Sequence, residues 1–162
     1  MRDWLSRPFE ERNLFNPAFC AVVLAAAVRE YERVSGRGMP YSLTLLVLPM
    51  CLHLASREQI LENKRVSVLR VFALRQDLLV DFAERARALV QYATEAFALL
   101  ASKDCIKVGD DGSISLIPRR VSSQPLNTED AERCRAAAVV LGRDFAHIND
   151  RVTVYASLSI RP

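Results

Sequence analysis

A helix that is apolar on every face lies near the start of the chain. Residues 18–28 contain no charged side chain and no polar one except the small thiol of Cys20. A helix of this kind is normally buried on all sides, so the remaining elements must fold around it. Asn16 is a preferred N-cap residue and Pro17 a preferred first helical residue, while Gly36 suits the left-handed position after the last turn. The sequence therefore predicts a central helix over residues 17–34.

The residues that follow predict a mainly α fold with one β-hairpin. Pro40 can open a second helix over residues 40–54, which Pro49 should kink or split. Ser56 can cap a short helix over residues 56–61, and another short helix is expected over residues 66–74. Apolar positions recur at three- and four-residue steps over residues 77–102, which predicts a long helix. Two short alternating runs on either side of a Gly-Asp turn predict a hairpin over residues 105–117.

The C-terminal part predicts one more long helix and leaves the last residues open. Thr128 or Asn127 can cap a helix that ends near Phe145 or His147. Residues 152–160 alternate as a strand would, although Asn149 and Asp150 could equally cap a short helix. We expect a single domain over residues 1–162, with a lead-in (1–15), a helical core (17–102), the hairpin (105–117) and a C-terminal helical segment (128–162).

The composition argues against several classes of protein. With 22 basic and 19 acidic residues the net charge is only +3, whereas an autonomous nucleic-acid-binding domain usually has a marked basic excess. The four cysteines form no CxxC pair and no histidine cluster accompanies them, so a metal site is not expected. The apolar runs are too short or too polar to span a membrane, and the first residues do not resemble a signal peptide. We expect a cytoplasmic protein with reduced cysteines.

No catalytic motif is recognisable. The sequence contains no GxxxxGK[ST], GxGxxG, GxSxG or HExxH run, so no phosphate-binding loop, nucleophile elbow or zinc-protease helix is predicted. Glu10 and Glu11 could form an acid/base pair, but no partner group accompanies them and an interface or solvated face is favoured. His53 and His147 are interpreted as structural residues. The sequence therefore predicts a non-enzymatic protein without a cofactor.

The order of the elements allows a second interpretation. Several helices followed by a two-stranded wing are typical of winged-helix modules, which often bind DNA. In that case Lys64 and Arg65, before the long helix, and Arg119 and Arg120, after the wing, would be the candidate phosphate contacts. The near-balanced charge favours a hairpin that covers a helix edge or binds protein, and the transcription-regulator hypothesis remains the alternative.

Five groups of residues, in order along nearly the whole chain, carry a family resemblance. They are Arg7-Pro8-Phe9-Glu10-Glu11 with Leu14-Phe15-Asn16-Pro17-Ala18-Phe19, Met39-Pro40-Tyr41 with Leu45-Leu46-Val47-Leu48-Pro49, Phe82-Ala83-Glu84-Arg85-Ala86-Arg87, Leu141-Gly142-Arg143-Asp144-Phe145-Ala146, and Ile160-Arg161-Pro162. Together they resemble the middle component of bacterial three-component ABC systems. One departure is Ser159, which stands where the family pattern has a glycine.

The resemblance implies a non-catalytic role. Such proteins are encoded with an ABC ATPase of the SMC/Rad50-like kind and with a third component, often a nuclease-type effector, in an arrangement similar to Lamassu-type anti-phage and anti-plasmid defence. The resemblance implies a small adaptor that joins the ATPase to the effector and reaches DNA only through the complex. It also favours a short helix in the tail. The candidate partner contacts are the face of the second predicted helix and five charged residues: Arg7, Glu10, Glu11, Arg85 and Arg161.

Overall fold

The central helix is present with the predicted ends. The computed structural model describes residue 8 and residues 15–160, and its first helix, α1, spans Pro17–Ser35. The side chain of Asn16 accepts a hydrogen bond from the backbone N–H of Ala18 at 2.8 Å, and Gly36 adopts the left-handed conformation with φ 70°. Nearly the whole middle of α1 is buried, as a helix apolar on every face requires.

Two long helices cover α1. They are α6, over Phe82–Ser102, and α7, over Glu129–Ile148, and both pack directly on it. The approach of α7 is closest at Gly142, where an added Cβ would lie 2.2 Å from the backbone oxygen of Ala27. A glycine is therefore required at this crossing for steric reasons.

The second predicted helix is divided into two short ones. The structure has α2 over Tyr41–Thr44 and α3 over Val47–Cys51, so the break lies at Leu45 and Leu46 and not at Pro49. Pro49 is in the first turn of α3, where a helix has no intrahelical partner for the backbone N–H and a proline causes no loss. The predicted split of this helix is therefore confirmed, but the prediction that Pro49 causes it is wrong, and the second piece ends at Cys51 and not at Leu54.

The two short helices before α6 are capped by residues that the sequence did not suggest. Helix α4 spans Leu54–Glu62, and its N-cap is His53, whose Nδ1 accepts from the backbone N–H of Ser56. The prediction that Ser56 caps this helix is wrong, since Ser56 lies inside it. Helix α5 spans Val68–Leu74. Its first N–H, that of Val68, donates to the carboxylate of Asp144 in α7 at 2.7 Å, so a remote residue sets where α5 begins.

The predicted hairpin is confirmed, and a third strand joins it. Strand β2 spans Ile106–Val108 and β3 spans Ser113–Leu116. A two-residue strand, β1 at Met39–Pro40, pairs antiparallel with the other edge of β3, which gives the order β1-β3-β2. The sequence analysis missed β1 because its pairing depends on residues more than seventy positions away in the chain.

Side chains of the central helix form hydrogen bonds with the backbone of the sheet and of the segment that follows it. The carboxylate of Glu32, in α1, accepts from the backbone N–H of Leu116 at 3.1 Å. The guanidinium of Arg29, one turn earlier, donates to the carbonyl oxygen of Val121 at 2.8 Å. The first contact fixes β3, and the second the segment after it, at the C-terminal end of α1.

The long helix α6 begins five residues later than predicted. Residues Gln76–Leu79 form a 3₁₀ turn, and Asp81 takes a left-handed conformation with φ 54° before α6 starts at Phe82. The apolar spacing continues through this stretch, so periodicity alone could not find the break. Helix α7 begins after Thr128, which caps it as predicted by accepting from the N–H of Ala131 at 3.3 Å.

The tail is helical. Helix α8 spans Arg151–Ser157, with the carboxylate of Asp150 accepting from the N–H groups of Val152 and Thr153. The short-helix interpretation is confirmed, and the strand interpretation of the alternating residues is wrong. Val154, within α8, and Leu158, directly after it, are buried in the core.

These elements make a mainly α fold with a small three-stranded antiparallel sheet, as predicted. Within residues 15–160, no helix is long and apolar enough to cross a membrane. The division into one domain over residues 1–162 stays a prediction.

Candidate partner-binding surface

An apolar cleft runs along one side of the molecule, between the break after α2, helix α6 and the tail helix α8. Its first depression has a volume of about 360 Å³ and is lined by Leu45, Leu46, Ala83, Ala86, Arg87, Val90, Tyr155, Ser159 and Ile160. A second depression of similar volume, about 360 Å³, is lined by Ser42, Arg151, Val152 and Tyr155. Because both depressions are lined by Tyr155, we treat them together as the tail cleft.

Tyr155 lines both depressions of the tail cleft. The residue is 6% exposed, and its hydroxyl donates to the carbonyl oxygen of Ser42 at 2.6 Å. Burial raises the pKa of this hydroxyl, which therefore remains a donor at neutral pH. The bond fastens α8 to α2 and gives the cleft a fixed floor. The hydroxyl of Ser42 is itself buried without a hydrogen-bond partner among the described residues.

The rim of the tail cleft exposes large apolar side chains. Val90 is 39% exposed and Val152 is 69% exposed, and each lines one of the two depressions. Ala83 and Val90 belong to the apolar face that predicted α6, yet both are exposed. The apolar face of α6 therefore extends beyond the part of the helix that packs on the core.

Arginine supplies the charge of the tail cleft. Among its described lining residues the charged ones are Arg87 in the first depression and Arg151 in the second, and no carboxylate is among them. Both arginines are exposed, and neither forms an ion pair within the described part of the chain. The cleft thus combines an apolar floor with positive charge at its edge.

Three of the five groups of residues that carry the family resemblance meet at this cleft. Leu45 and Leu46 come from the second group, Ala83, Ala86 and Arg87 from the third, and Ile160 from the last. The fourth group has a structural role instead, since Gly142 permits the close crossing with α1 and Asp144 caps α5. No sequence pattern predicted this convergence, because the contributing segments are remote in the chain.

The predicted partner contacts are only partly within the described structure. Arg7, Glu10, Glu11 and Arg161 lie outside the described residues. The face of the second predicted helix contributes to the tail cleft through Leu45 and Leu46.

Arg85, the remaining charged candidate, is half-buried and engaged within its own domain. It donates to the carbonyl oxygen of Leu78 at 3.2 Å, and its guanidinium carbon lies 5.4 Å from the ring centroid of Phe82. Burial lowers the pKa of this guanidinium. Arg85 thereby braces the start of α6, and its part in partner binding stays a prediction.

The four basic residues proposed as phosphate contacts lie in two separate loops. Lys64 and Arg65 are exposed between α4 and α5, where Arg143 of α7 donates to the carbonyl oxygen of Lys64. Arg119 and Arg120 are exposed after β3. The turn of the hairpin itself carries Asp110 and Asp111, both exposed, which places negative charge at the tip of the wing.

The histidine at the start of α4 has a structural role. The Nδ1 atom of His53 accepts from the N–H of Ser56 and lies 2.8 Å from the Ser56 hydroxyl oxygen. These contacts require a neutral ring with its proton on Nε2. Burial and the nearby charge of Arg85 lower the pKa of His53, which keeps the ring neutral near pH 7. His147 is exposed in the last turn of α7.

All four cysteines are free and buried. Burial raises the pKa of Cys20 to about 12 and raises those of Cys51 and Cys134 as well. Since the thiolate is the nucleophile and the metal ligand, these three thiols are poorly suited to either role. Among residues 15–160, no group of three or more His, Cys, Asp or Glu side chains is placed to hold a metal ion.

A buried arginine joins α4 to α7 beside Cys134. The guanidinium of Arg57, 4% exposed, donates to Cys134 Sγ at 2.9 Å and is paired with Asp130. Glu58 next to it pairs with Arg133, and these contacts lower the pKa of the Glu58 carboxyl. A buried cation needs such partners, so we interpret the network as a brace between the two helices.

Comparison with known proteins identifies a family. No curated protein and no solved structure matches the chain. A family model described as "ABC-three component (ABC-3C) system Middle Component 3" matches residues 4–162. The match covers all the helices and strands described above, and with them the residues of the tail cleft. The chain therefore belongs to the Middle Component 3 family of ABC-three component systems.

Proposed function

We propose that this protein is a non-catalytic adaptor that links an SMC- or Rad50-like ABC ATPase to an effector, most simply a nuclease, in cytoplasmic defence against phages or plasmids. The observation that carries the proposal is membership of a middle-component family over residues 4–162. A middle component of a multi-component system has protein partners, and the assignment of those partners as ATPase and effector rests on the family resemblance of the sequence.

The side chains of the described residues support a role in binding. The neutral ring of His53 caps α4, and the pKa values of Cys20, Cys51 and Cys134 are raised by burial. These four side chains, of types that often perform acid/base or nucleophilic chemistry, are thus occupied in folding. The tail cleft offers instead an apolar surface with arginines that have no ion-pair partner in the described part of the chain, which suits a protein partner.

A winged-helix transcription regulator is the second candidate. The pairing of β1 with β3 favours it, because a helix, a short strand, further helices and a hairpin then follow one another as in a winged-helix frame. Asp110 and Asp111 at the wing tip argue against phosphate contact there, since like charges repel the DNA backbone. We therefore propose that the frame serves protein binding.

Co-expression with the neighbouring genes tests the adaptor. The chain should co-elute with the encoded ATPase in size-exclusion chromatography, while the isolated protein should not bind duplex DNA. Binding of the isolated protein to duplex DNA with a steep dependence on salt, together with separate elution from the ATPase, would favour the transcription regulator.

A further inference from the structure

We propose that the tail cleft is the docking site for an acidic amphipathic helix of a co-encoded subunit. The inference rests on the proposed function, and it names which face of the adaptor is used and what chemistry its partner presents.

The shape of the tail cleft suits a helix with an apolar stripe. Its floor is made by the break between α2 and α3 and by the small side chains Ala83 and Ala86, and both of its depressions are lined by Tyr155. A helix docks in such a groove through apolar anchors spaced three and four residues apart. Val90 and Val152 stand exposed on the rim, where these anchors would cover them.

The floor of the tail cleft is firmly held. The hydrogen bond of 2.6 Å from the Tyr155 hydroxyl to the Ser42 carbonyl oxygen fastens the tail helix to α2, and Val154 and Leu158 anchor the same helix in the core. A preformed groove loses less conformational entropy when it binds a partner. The cleft is therefore suited to binding without prior rearrangement of α8.

The positive charge of the tail cleft indicates which kind of helix would bind there. Arg87 and Arg151 line the two depressions, and neither has an ion-pair partner among the described residues. A second copy of this chain would bring two further arginines to the same place, and like charges across an interface are unfavourable. A helix with glutamate or aspartate beside its apolar stripe would pair with both arginines. Charge complementarity therefore favours an acidic partner over self-association.

The experiment compares matched substitutions inside and outside the tail cleft. Arg87→Glu and Val90→Asp change the cleft. Arg70→Glu changes an exposed arginine of α5, and Val66→Asp changes a valine with the same 39% exposure as Val90. Binding of each purified full-length variant to the immobilised co-encoded ATPase and to the immobilised effector is measured by biolayer interferometry, with circular dichroism as the check on folding.

We expect both cleft variants to bind one of the two subunits at least tenfold more weakly, and both controls to bind as the wild type does. We also expect the wild-type affinity to fall with added salt, and to fall less for Arg87→Glu, because exposed charge pairs are screened. If Val90→Asp fails to fold, the binding of Arg87→Glu alone tests the docking site, because the side chain of Arg87 is exposed.

The outcomes separate this inference from the proposed function. Binding of the wild type to a subunit with equal binding by both cleft variants overturns the docking site and leaves the adaptor standing. Failure of the wild type to bind either subunit overturns both. A dimer of the isolated chain that Val90→Asp dissociates would identify a second copy as the occupant, and would also overturn the acidic-helix proposal.

Discussion

The crossing of α1 and α7 at Gly142 gives a prediction of stability whose sign can be worked out from the structure. In Gly142→Ala, the new Cβ would lie 2.2 Å from the Ala27 oxygen and 2.9 Å from its carbonyl carbon, while ordinary contact begins at 3.4 Å. The neighbouring atoms are backbone, so no side chain can rotate away. The two helices must move apart by roughly 1 Å along their crossing, which loosens packing between the largest elements of the core.

The free-energy balance has two terms. Overpacking of a well-packed core costs about 1–3 kcal/mol, and a backbone clash belongs at the upper end. Alanine in a helix is favoured over glycine by about 1 kcal/mol. The free energy of unfolding of Gly142→Ala should therefore be lower by about 2 kcal/mol, with a fall in melting temperature of about 4–8 °C for a chain of this size.

Urea unfolding followed by circular dichroism measures this difference. The midpoint should fall while the slope m stays that of the wild type. His147→Ala, an exposed substitution in the same helix, is the control and should change the free energy of unfolding by no more than about 0.5 kcal/mol. An equal or higher stability of Gly142→Ala would refute the reasoning, because the gain in helix propensity would then equal or exceed the cost of the clash.

Two further predictions concern local contacts. Because the pKa of His53 is lowered in the folded state from its ordinary 6.5, the unfolded chain binds this proton more tightly, so the free energy of unfolding should fall as pH drops below 6.5. His53→Asn keeps a capping acceptor without titrating, and urea midpoints at pH 7.5 and 5.5 should differ less for this variant; an unchanged difference would contradict the assigned cap. Ser159 has φ 56°, a conformation that costs a residue with a Cβ roughly 1–2 kcal/mol. Ser159→Gly should therefore raise the melting temperature modestly, and a lower one would show that Ser159 is not strained.

The parts of the fold that local chemistry determines were predictable from the sequence. Asn16, Pro17 and Gly36 mark the ends of α1 because caps and left-handed residues act within a few positions. The hairpin could be found for the same reason, since its turn and both of its strands are adjacent in the chain. Features that depend on remote partners were missed or displaced. Strand β1 was missed because it needs β3. Helix α5 was predicted from residue 66 but starts at Val68, whose N–H donates to the Asp144 carboxylate in α7.

The candidate site was less predictable than the fold. The spacing of Ala83, Ala86 and Val90 marks an apolar face of α6, but spacing cannot distinguish a residue in the core from one that lines a cleft. Leu45, Tyr155 and Ser159 reach the same cleft from segments more than a hundred residues apart. Only the tertiary fold brings these side chains together, so the tail cleft could not be derived from any single motif.

The central claim is that this chain connects two other proteins, and the most direct measurement is whether they remain connected without it. The ATPase and the effector that the proposed function expects beside this gene are co-expressed with and without the chain, and are analysed by size-exclusion chromatography with light scattering. The adaptor account predicts that all three co-elute as one complex, and that ATPase and effector separate when this chain is omitted. Co-elution of ATPase and effector in its absence would contradict the account.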